Sequence, residues 1–537
     1  MAFIKTDKKA SGTYLRIAES YRDEEGRPKH RTLYQLGRVE DYTDEMLQRM
    51  GARLYELGGG DLRALIGDNI EELGRYNYGF YQIYHKLYQA YGLDRVLGQI
   101  SKRKKLSYDL SNAVFLMLLE RLNEPGSKLC NWSNQSEYLG ITPVDLHHLY
   151  RSLDQLADHH ERIQGCIYRS GRDLFNQKLD VVFFDVTTFY FDSDKEIEGK
   201  LRQKGFSKDG KLGKTQILFG LLIDKDKQPI GYEIYSGDTF EGHSFEDALE
   251  RLKKRYMIDK VIVVADRGML NKKNLTKTVE KGYHFIMGER LKQLPNSVQR
   301  ELLELDSYQH EWLMKEAGDQ SIRIRYKTIK HQGRRIIATY SEKRAKKDAK
   351  DREKKLEKAE TLLKDPSKLK AKARRHYISM EQGKASLDEE KIKQDQKYDG
   401  ILAISTNEEN LPVEKILDHY RNLYKIEHSF RSFKSHLETR PMFHWTDKRI
   451  RGHICLCYIA YALLAQLQLR LKKKKFPLSE RKIRKLISKM QVSHIKNGNR
   501  EFYIRSKLCD QTRSFLNRIG KRPIPNIIPK DLITKYL

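Results

Sequence analysis

The sequence contains few cysteines and no apolar segment long enough to cross a membrane. Its five cysteines in 537 residues do not suggest a disulfide framework. Cys455 and Cys457 lie close together within an apolar run, a spacing that indicates core packing and not a zinc site. That run, 454–465, is well short of the roughly 20 residues that span a bilayer, so we interpret it as a buried helix. Because the N-terminus also has no apolar core of a secretion signal, we expect a soluble, cytoplasmic protein.

Acidic residues are scarce relative to basic ones. The chain has 103 Lys and Arg against 73 Asp and Glu, which gives a formal net charge of +30. An excess of this size is typical of proteins that bind a polyanion, with nucleic acid as the leading candidate, while a generally basic soluble protein is the alternative. Because 39% of the residues are hydrophobic, the chain can still bury cores, and its length predicts about two to four domains.

The N-terminal part of the chain divides into two regions of different character. Residues 13–38 are typical of two strands around a turn, within a small β-rich region that we predict for 1–60. From 61 to 178 the pattern is mostly helical, basic and aromatic. We predict that this helical region is a DNA-binding domain. It has no clear helix-turn-helix signature, and a helical support domain is the alternative.

The next region has the pattern of an α/β domain. Apolar runs that predict strands, separated in part by helical segments, occur at 181–191, 215–224, 229–237, 260–266 and 283–289. Strands that are buried on both faces form continuous apolar runs, and mixing them with helices gives an α/β sheet. The helical segments are 244–256 and roughly 271–281. The sheet pattern then stops, and it resumes at 399–406.

This interruption predicts an insertion within one domain. We therefore predict a catalytic domain of residues 179–290 plus 399–473, and an insertion domain of residues 291–398. Within the insertion, 321–341 predicts two strands and 342–376 predicts charged helices. Helices follow at 411–438 and 446–473, and residues 474–537 form a basic C-terminal region.

Two aspartates occupy positions that favour a functional site. Asp185 lies inside the apolar run 181–191, where an isolated ionised carboxylate is costly to bury without a cation, a hydrogen-bond cage or protonation. Asp266 ends the strand 260–266, and ligands in α/β sheets gather at the carboxyl ends of strands. The alternative for either residue alone is an aspartate that caps or forms a turn.

A third acid, Glu427, lies in the segment 418–440, which we predict to be one amphipathic helix. At about 100° per residue, Glu427 shares a narrow stripe with Tyr420, Arg431 and Lys434, beside an apolar stripe. A helix of this kind packs its apolar side on a sheet and presents the carboxylate among cations at the edge. The alternative is a surface helix in which Glu427 forms an ion pair with Arg431.

Together the three acids predict a metal site. Carboxylates crowded at one point repel each other unless a divalent metal offsets their charge, and oxygen-only ligands suit Mg²⁺ or Mn²⁺. Two such ions about 4 Å apart can activate a water or a 3′-hydroxyl and stabilise the leaving oxygen of a phosphodiester. Arg431 and Lys434 can hold phosphates beside the ions, and the basic surface supplies sequence-independent affinity for DNA.

Four segments, in this order along the chain, resemble a known family. They are DVTTFYF around Asp185, GDTFEGHSF at 237–245, ADRGML around Asp266, and the spacing Y-x6-E-x6-K formed by Tyr420, Glu427 and Lys434. The sequence resembles the DDE transposases of the IS4 superfamily, and within it the IS1634 insertion-sequence family. One position differs. The family pattern has an arginine three residues after the tyrosine, where this chain has Leu423, and Arg421 points about 100° off the stripe.

The resemblance implies an RNase H-like mixed sheet flanked by helices, with the insertion before the last catalytic helix. It implies that Asp185, Asp266 and Glu427 are the catalytic, metal-binding acids, with two Mg²⁺ or Mn²⁺ ions as cofactors. It also implies cleavage at insertion-sequence ends and strand transfer into target DNA. The partners are then double-stranded DNA, as terminal inverted repeats and target, and a second copy of the chain in a homodimer on paired ends. We expect such a protein to be associated with the nucleoid.

Three other functions compete with this one. The strand FFDVT is similar to the DxDxT strand of haloacid-dehalogenase-type phosphotransferases, but Thr187 stands where the second acid is required. An RNase H-like nuclease without strand transfer shares the three acids. A catalytically inactive DNA-binding protein shares only the basic surface. Trp312 and Trp445 are interpreted as core aromatics, with base stacking near the site as the alternative.

Overall fold

The fold is known from a computed structural model. It describes residues 2–59, 70–170, 181–196, 200–206, 210, 213–240, 247–248, 250–251, 254–255, 262–266, 279–280, 282–315, 321–364, 376–381, 384–497 and 500–537.

The strands follow the apolar and alternating runs of the sequence. In chain order they are β1 (Ala2–Lys9), β2 (Gly12–Arg22), β3 (Pro28–Arg38), β4 (Ile70–Asn77), β5 (Val181–Tyr190), β6 (Gln216–Ile223), β7 (Pro229–Ser236), β8 (Ile262–Ala265), β9 (His284–Gly288), β10 (His310–Lys315), β11 (Ser321–His331), β12 (Arg334–Tyr340), β13 (Ile378–Glu381), β14 (Lys384–Leu387), β15 (Ile401–Thr406), β16 (Gln491–Asn497), β17 (Arg500–Arg505) and β18 (Ile527–Pro529).

Most of the helices in the described residues lie before β5 or after β15, and α8, α9 and α10 lie between β9 and β15. In chain order they are α1 (Asp44–Leu57), α2 (Gly79–Ala90), α3 (Leu93–Lys104), α4 (Leu110–Asn123), α5 (Lys128–Ser133), α6 (Leu146–Asp158), α7 (His160–Ser170), α8 (Asn296–Leu303), α9 (Glu342–Leu363), α10 (Glu389–Gln396), α11 (Val413–Arg421), α12 (Tyr424–Arg431), α13 (Asp447–Lys473), α14 (Glu480–Ser488) and α15 (Asp510–Arg518). A π-helix, Ser432–His436, follows α12 directly.

The chain forms two compact units. One consists of 1–75, 492–506 and 525–535, and the other of 76–491, 507–524 and 536–537. The first unit contains an antiparallel sheet of order β1-β2-β3, and its segments also supply a sheet of order β18-β17-β16-β4. The strands of the C-terminal region therefore pair with a strand near residue 70, a connection that local sequence patterns do not show. The domain boundaries given above stay predictions.

A nine-stranded mixed sheet organises the second unit. Its order is β10-β11-β12-β15-β9-β8-β5-β6-β7. β5 is parallel to β8, and β8 is parallel to β9, whereas β6 and β7 are antiparallel to their neighbours. The strands β7-β6-β5-β8-β9, numbered along the chain, follow the order 3-2-1-4-5 in this part of the sheet. The predicted class, a mixed α/β sheet flanked by helices, is confirmed.

The strands of the predicted insertion belong to this same sheet. β12 pairs with β15, and β15 pairs with β9, so β10, β11 and β12 extend the sheet beyond its parallel part. The sequence predicts strands in this region but not their partners, because strand pairing over long sequence separations leaves no local signal. Of the predicted charged helices, α9 is present, and residues 365–375 lie outside the described part of the chain.

The two faces of the sheet pack against different parts of the protein. On one face, alternate residues of the strands form an apolar cluster that includes Phe184, Leu222 and Phe285. On the other face, Tyr232 of β7 contacts Tyr458 of α13 with ring centroids 4.8 Å apart. Because successive residues of a strand point to opposite faces, odd-numbered residues of β5 point toward this second face.

Helix α13 is the central helix of the second unit. It is long and apolar enough to cross a membrane by length and composition, but most of its apolar stretch is buried within the protein. It packs against α4 and α6, and Cys455 and Cys457 are fully buried in it. The prediction of a buried core helix for 454–465 is confirmed.

Candidate active site

The first predicted acid, Asp185, lies in the middle of β5. Its strand neighbours Phe184 and Val186 belong to the apolar cluster on one face of the sheet. Asp185 therefore points to the opposite face, where it is partly exposed. Its Oδ1 atom accepts a hydrogen bond of 2.7 Å from the backbone N–H of Val186. The carboxylate lies at the surface of the sheet and not within its apolar core.

The second predicted acid, Asp266, follows β8 directly and is exposed. In the parallel ladder between β5 and β8, Phe183 pairs with Val264. Two residues further along both strands, Asp185 and Asp266 occupy the same level and face the same side of the sheet, on strands about 4.8 Å apart. The topology thus places these two residues at the same end of neighbouring strands, at the carboxyl end of β8.

The third predicted acid, Glu427, lies on α12, which packs across β5 and β6. The start of this helix is fixed by Lys425, whose Nζ atom donates a hydrogen bond of 2.6 Å to the carbonyl oxygen of Lys225 after β6. Its end is fixed by Phe430, whose ring centroid lies 6.3 Å from that of Phe219 on β6. The helix therefore spans the stretch of β6 between these two contacts.

This stretch includes the level of the first aspartate. In the ladder between β5 and β6, Asp185 pairs with Leu221, which lies between Phe219 and the turn that contains Lys225. Glu427 is exposed, and it lies on the part of α12 that crosses this level on the face to which Asp185 points. The fold brings the helix that carries Glu427 to the strand that carries Asp185.

The three acids share this region, but their oxygen atoms do not all lie within 4.8 Å of one another. In the described part of the chain, that distance is met by one group of possible metal ligands, the exposed Asp145 with His147 and His148. Carboxylates repel each other, and closer approach requires a cation between them.

Comparison with known proteins identifies the family. Residues 176–463, more than half of the chain, match the family described as the transposase DDE domain. This chain belongs to the DDE transposases. Residues 3–61 also match the N-terminal domain of IS1634 family transposases. The protein is a DNA transposase of this family, an enzyme that cleaves DNA and transfers strands with the help of divalent metal ions.

Solved transposase structures are only distantly similar to it. The piggyBac transposase synaptic complex with hairpin DNA is 9% identical, with 85% of this chain and 81% of that chain covered and a TM-score of 0.37. The Mos1 transposase paired-end complex with left transposon end is 14% identical, with 36% and 57% covered and a TM-score of 0.15. No curated protein matches. The assignment therefore depends on the two family matches.

The segment around Glu427 in the transposase is not the single helix that the periodicity of 418–440 predicts. α11 ends at Arg421, and a tight joint precedes α12. At this joint, the N–H of Leu423 donates to the carbonyl oxygen of Tyr420, an i→i+3 bond of 3.0 Å. Such bonds wind the backbone more tightly than an α-helix. Tyr420 and the residues before it therefore do not lie on the same helical stripe as Glu427.

A wide turn follows the helix. After Arg431, residues 432–436 form a π-helix, and the N–H of Leu437 donates to the carbonyl oxygen of Ser432 at 2.8 Å. This extra residue in the turn moves Lys434 away from its position on an ideal helix. The prediction of one continuous stripe is therefore wrong. Within the described residues, Glu427 and Arg431 keep helical spacing but do not form the ion pair of the alternative interpretation.

The four predicted DNA-binding residues of the transposase differ in exposure. Arg421 and Arg431 are exposed, whereas Tyr420 and Lys434 are partly buried and each interacts with neighbouring groups. Two of them thus have side chains at the surface that a phosphate can reach directly.

Residues far along the chain fix the turn after α12, and sequence patterns did not reveal them. The Ser432 hydroxyl and the Glu480 carboxylate of α14 are hydrogen-bonded. Burial raises the pKa of Glu480, with the Ser432 hydroxyl opposing the shift. One turn later on α14, Arg484 donates a hydrogen bond of 2.6 Å to the carbonyl oxygen of His436. The amphipathic pattern of 480–488 predicts a helix but does not show which element it supports.

The remaining family segments are described in part. Gly237 begins GDTFEGHSF, and a Cβ atom on it would lie only 2.2 Å from the carbonyl oxygen of Gln216, which explains the glycine. Residues 241–246 and 267–270, where the rest of this segment and most of ADRGML lie, are outside the described residues. Trp445 is 58% exposed, with the guanidinium of Arg202 at 4.3 Å from its ring, so its interpretation as a core aromatic is wrong. Trp312 lies on β10 and is partly exposed.

Proposed function

We propose that Asp185, Asp266 and Glu427 are the catalytic acids of this transposase and that they bind Mg²⁺ or Mn²⁺ as a pair of ions. The observation that carries the proposal is the register between β5 and β8, which makes two aspartates neighbours on one face of the sheet. Two adjacent carboxylates without a counter-charge are costly, and oxygen ligands of this kind suit hard divalent cations. Glu427 is proposed as the third acid because its helix packs across β5 and β6.

The bound ions would supply the charge that activates a water or a 3′-hydroxyl and stabilises the leaving oxygen. The protein's own contribution is to hold the acids at fixed positions on two strands and one helix. Glu427 is positioned by the contacts at both ends of α12 described above. The exposed Arg421 and Arg431, with Tyr420 and Lys434, are proposed to hold the phosphates of the DNA strands beside the acids.

We infer that the reaction is cut-and-paste transposition. In this proposal, the DNA partners are the terminal inverted repeats of the element and a target duplex. The transposase assembles as a homodimer on paired ends, and it acts in the cytoplasm in association with the nucleoid.

The test is metal-dependent cleavage by variants that remove charge and keep shape. Asp185→Asn, Asp266→Asn and Glu427→Gln should each reduce cleavage of the DNA that flanks the reading frame by at least about 100-fold, because each removes a metal ligand. Binding of the same duplex, measured by fluorescence anisotropy without divalent metal, should stay within about twofold of that of the unsubstituted protein. Parallel reactions in Mg²⁺ and Mn²⁺ identify which ion supports cleavage.

The matched controls are Asp306→Asn and Glu353→Gln, which change exposed acids elsewhere in the chain. Both should cleave normally. Full cleavage by any one of the three site variants would refute the role of that acid. Cleavage at the ends without joining to a target duplex would show a nuclease in place of a transposition reaction.

A further inference from the structure

A lysine-rich groove begins at the helix that carries Glu427. The groove has a volume of about 280 Å³ and is lined by the turn between β6 and β7, the start of α12, the last turns of α13 and the residues that follow it. We call it the lysine groove, after Lys225, Lys227, Lys425 and Lys472, which line it together with Tyr424. Three separate parts of the chain thus bring like charges to one place.

The positive charge of the lysine groove is only partly neutralised by its own lining. Asp226 is the one carboxylate among the lining residues, and its Oδ1 atom lies 3.7 Å from Nζ of Lys472. This ion pair is exposed, with 67% of the Lys472 side chain accessible, so it contributes little to stability. Lys425 donates to a neutral acceptor, the carbonyl oxygen of Lys225. Among the lining residues, four ammonium groups are therefore opposed by one carboxylate.

The lysines disfavour each other's charge. Burial lowers the pKa of Lys425, and the ammonium groups of Lys472 and Lys227 lower it further, while the carboxylates of Asp226 and Asp224 oppose the shift. Burial also lowers the pKa of Lys227; the Glu480 carboxylate opposes this shift, and Lys472 adds to it. Like charges that are brought together in this way cost stability in the free protein. An arrangement that costs stability is expected where a ligand supplies the opposite charge.

The position of the groove indicates which anion it meets. Tyr424 is 53% exposed in the lining of the groove, and it lies on α12 one turn before Glu427. Three residues of helix correspond to about 4.5 Å along the axis. A phosphate held beside Tyr424 would therefore lie about one helical turn from Glu427. The groove is open, and its lysines offer ammonium groups that act as point charges. Unlike the planar guanidinium of arginine, an ammonium group does not select one particular base or phosphate geometry.

We propose that the lysine groove binds backbone phosphates of double-stranded DNA and holds the duplex against the start of the catalytic helix. The contact is sequence-independent, because it involves charge and not base edges. Its placement beside the active site depends on the proposed role of Glu427, but the binding itself does not.

The experiment compares two double variants of the full chain. Lys227→Gln with Lys472→Gln removes two charges from the groove, and Lys354→Gln with Lys358→Gln removes two exposed charges from α9 as the matched control. Lys425 is left intact because it fixes the start of α12. Binding of duplex DNA is measured by fluorescence anisotropy over a series of salt concentrations in EDTA, so that cleavage plays no part.

The groove variant should bind more weakly, and the slope of log K against log salt should become shallower by about 1.8, since each lost phosphate contact reduces it by about 0.9. The loss should be the same for the flanking duplex and for a scrambled duplex. An unchanged slope, an equal loss in the control variant, or a loss confined to one sequence would overturn the proposal.

Two further measurements separate binding from folding and from catalysis. The variant Lys227→Arg with Lys472→Arg retains the charge and should bind as the unsubstituted protein does; failure of this variant would show that the lysines act through local structure. Removing repulsion should leave the melting temperature of the glutamine variant unchanged or higher at low salt. Glu427→Gln should bind with the unchanged slope, so an error in the assignment of the acids does not affect the test.

Discussion

Asp185 occupies the centre of an apolar strand without being buried in a core. The apolar residues on either side of it in β5 are buried, but the carboxylate points to the other face and is partly exposed. The cost of burying a charge is thereby avoided, and the acid becomes available beside Asp266. A strand with one acid among apolar residues therefore indicates a surface where a ligand binds, if the neighbouring strand brings a second acid to the same level.

Lys128 is a buried cation whose charge should make stability depend on pH. It is 3% exposed, and its Nζ atom donates a hydrogen bond of 2.9 Å to Oδ1 of Asn131. Burial, with a smaller effect of the Arg121 guanidinium, lowers the pKa of Lys128 to about 7. In the unfolded chain the pKa is about 10.4, so between these values the unfolded state binds the extra proton. The free energy of unfolding should therefore rise as the pH rises from 7 toward 10.

The variant Lys128→Met isolates this effect. The stability of the unsubstituted protein relative to the variant should increase by up to about 1.4 kcal/mol per pH unit within this window. Urea unfolding of both proteins at pH 7.5, 8.5 and 9.5 measures the difference. Lys358→Met, at an exposed position, is the control and should leave the pH dependence unchanged. A difference that stays constant across the three pH values would show that Lys128 is charged in the folded protein.

At the scale of elements, the close approach of α13 and α6 depends on one glycine. A Cβ atom on Gly452 of α13 would lie 2.0 Å from the carbonyl oxygen of Leu153 on α6, and 2.7 Å from its carbonyl carbon. Since these are backbone atoms, the two helices would have to move apart. Gly452→Ala should destabilise the protein by about 1–3 kcal/mol. A lower melting temperature would be the first indication, and urea unfolding gives the magnitude.

A second helical glycine supplies the control for this prediction. Gly98 lies in α3, and a Cβ atom on it would have no neighbour within 4 Å. Gly98→Ala should therefore be neutral or stabilising by about 0.5–1 kcal/mol, because alanine restricts the unfolded chain. If both variants change stability equally, the helix contact at Gly452 is not what limits the packing.

The elements that local patterns specify were predicted, and those that depend on distant partners were not. The apolar runs around Asp185 and Asp266 predicted β5 and β8, because strands that are buried on both faces have a continuous apolar sequence. Periodicity also predicted a helix at Glu427. It did not predict the π-helix after Arg431, because that turn is held by Glu480 of another helix. The sequence also did not predict the pairing of β12 with β15, because that pairing joins strands that are far apart along the chain.

For the candidate site, too, local patterns predicted some residues, and residues that meet only through the fold were not predicted. The sequence predicts three candidate acids, since each lies at the end or in the middle of a predictable element. The sequence did not reveal the lysine groove, because Lys227 and Lys472 are 245 positions apart and meet only through the fold. A cluster of charges assembled from separate elements has no signature in any one segment.

At the scale of the whole molecule, the net charge of +30 acts in two opposite ways. It attracts DNA to every exposed basic surface, and it makes the free protein repel itself. Both effects weaken as salt is added, because the screening length falls from about 30 Å at 0.01 M to about 8 Å at 0.15 M. The same salt should therefore weaken the complex and strengthen the free protein.

This opposition is a prediction about two measurements on one sample. Between 0.01 M and 0.15 M NaCl, taken as the range over which screening changes most, the melting temperature of the DNA-free transposase should rise, since self-repulsion among its excess basic residues is reduced. Over the same range its affinity for a scrambled duplex should fall steeply, because releasing counterions into a more concentrated salt solution is less favourable. Sucrose at matched osmolality does not screen charge, and it should leave the affinity unchanged. A melting temperature that falls with salt would show that attractive ion pairs outweigh the net repulsion. The basic side chains would then be paired with nearby acidic side chains and would not be available to bind DNA phosphates.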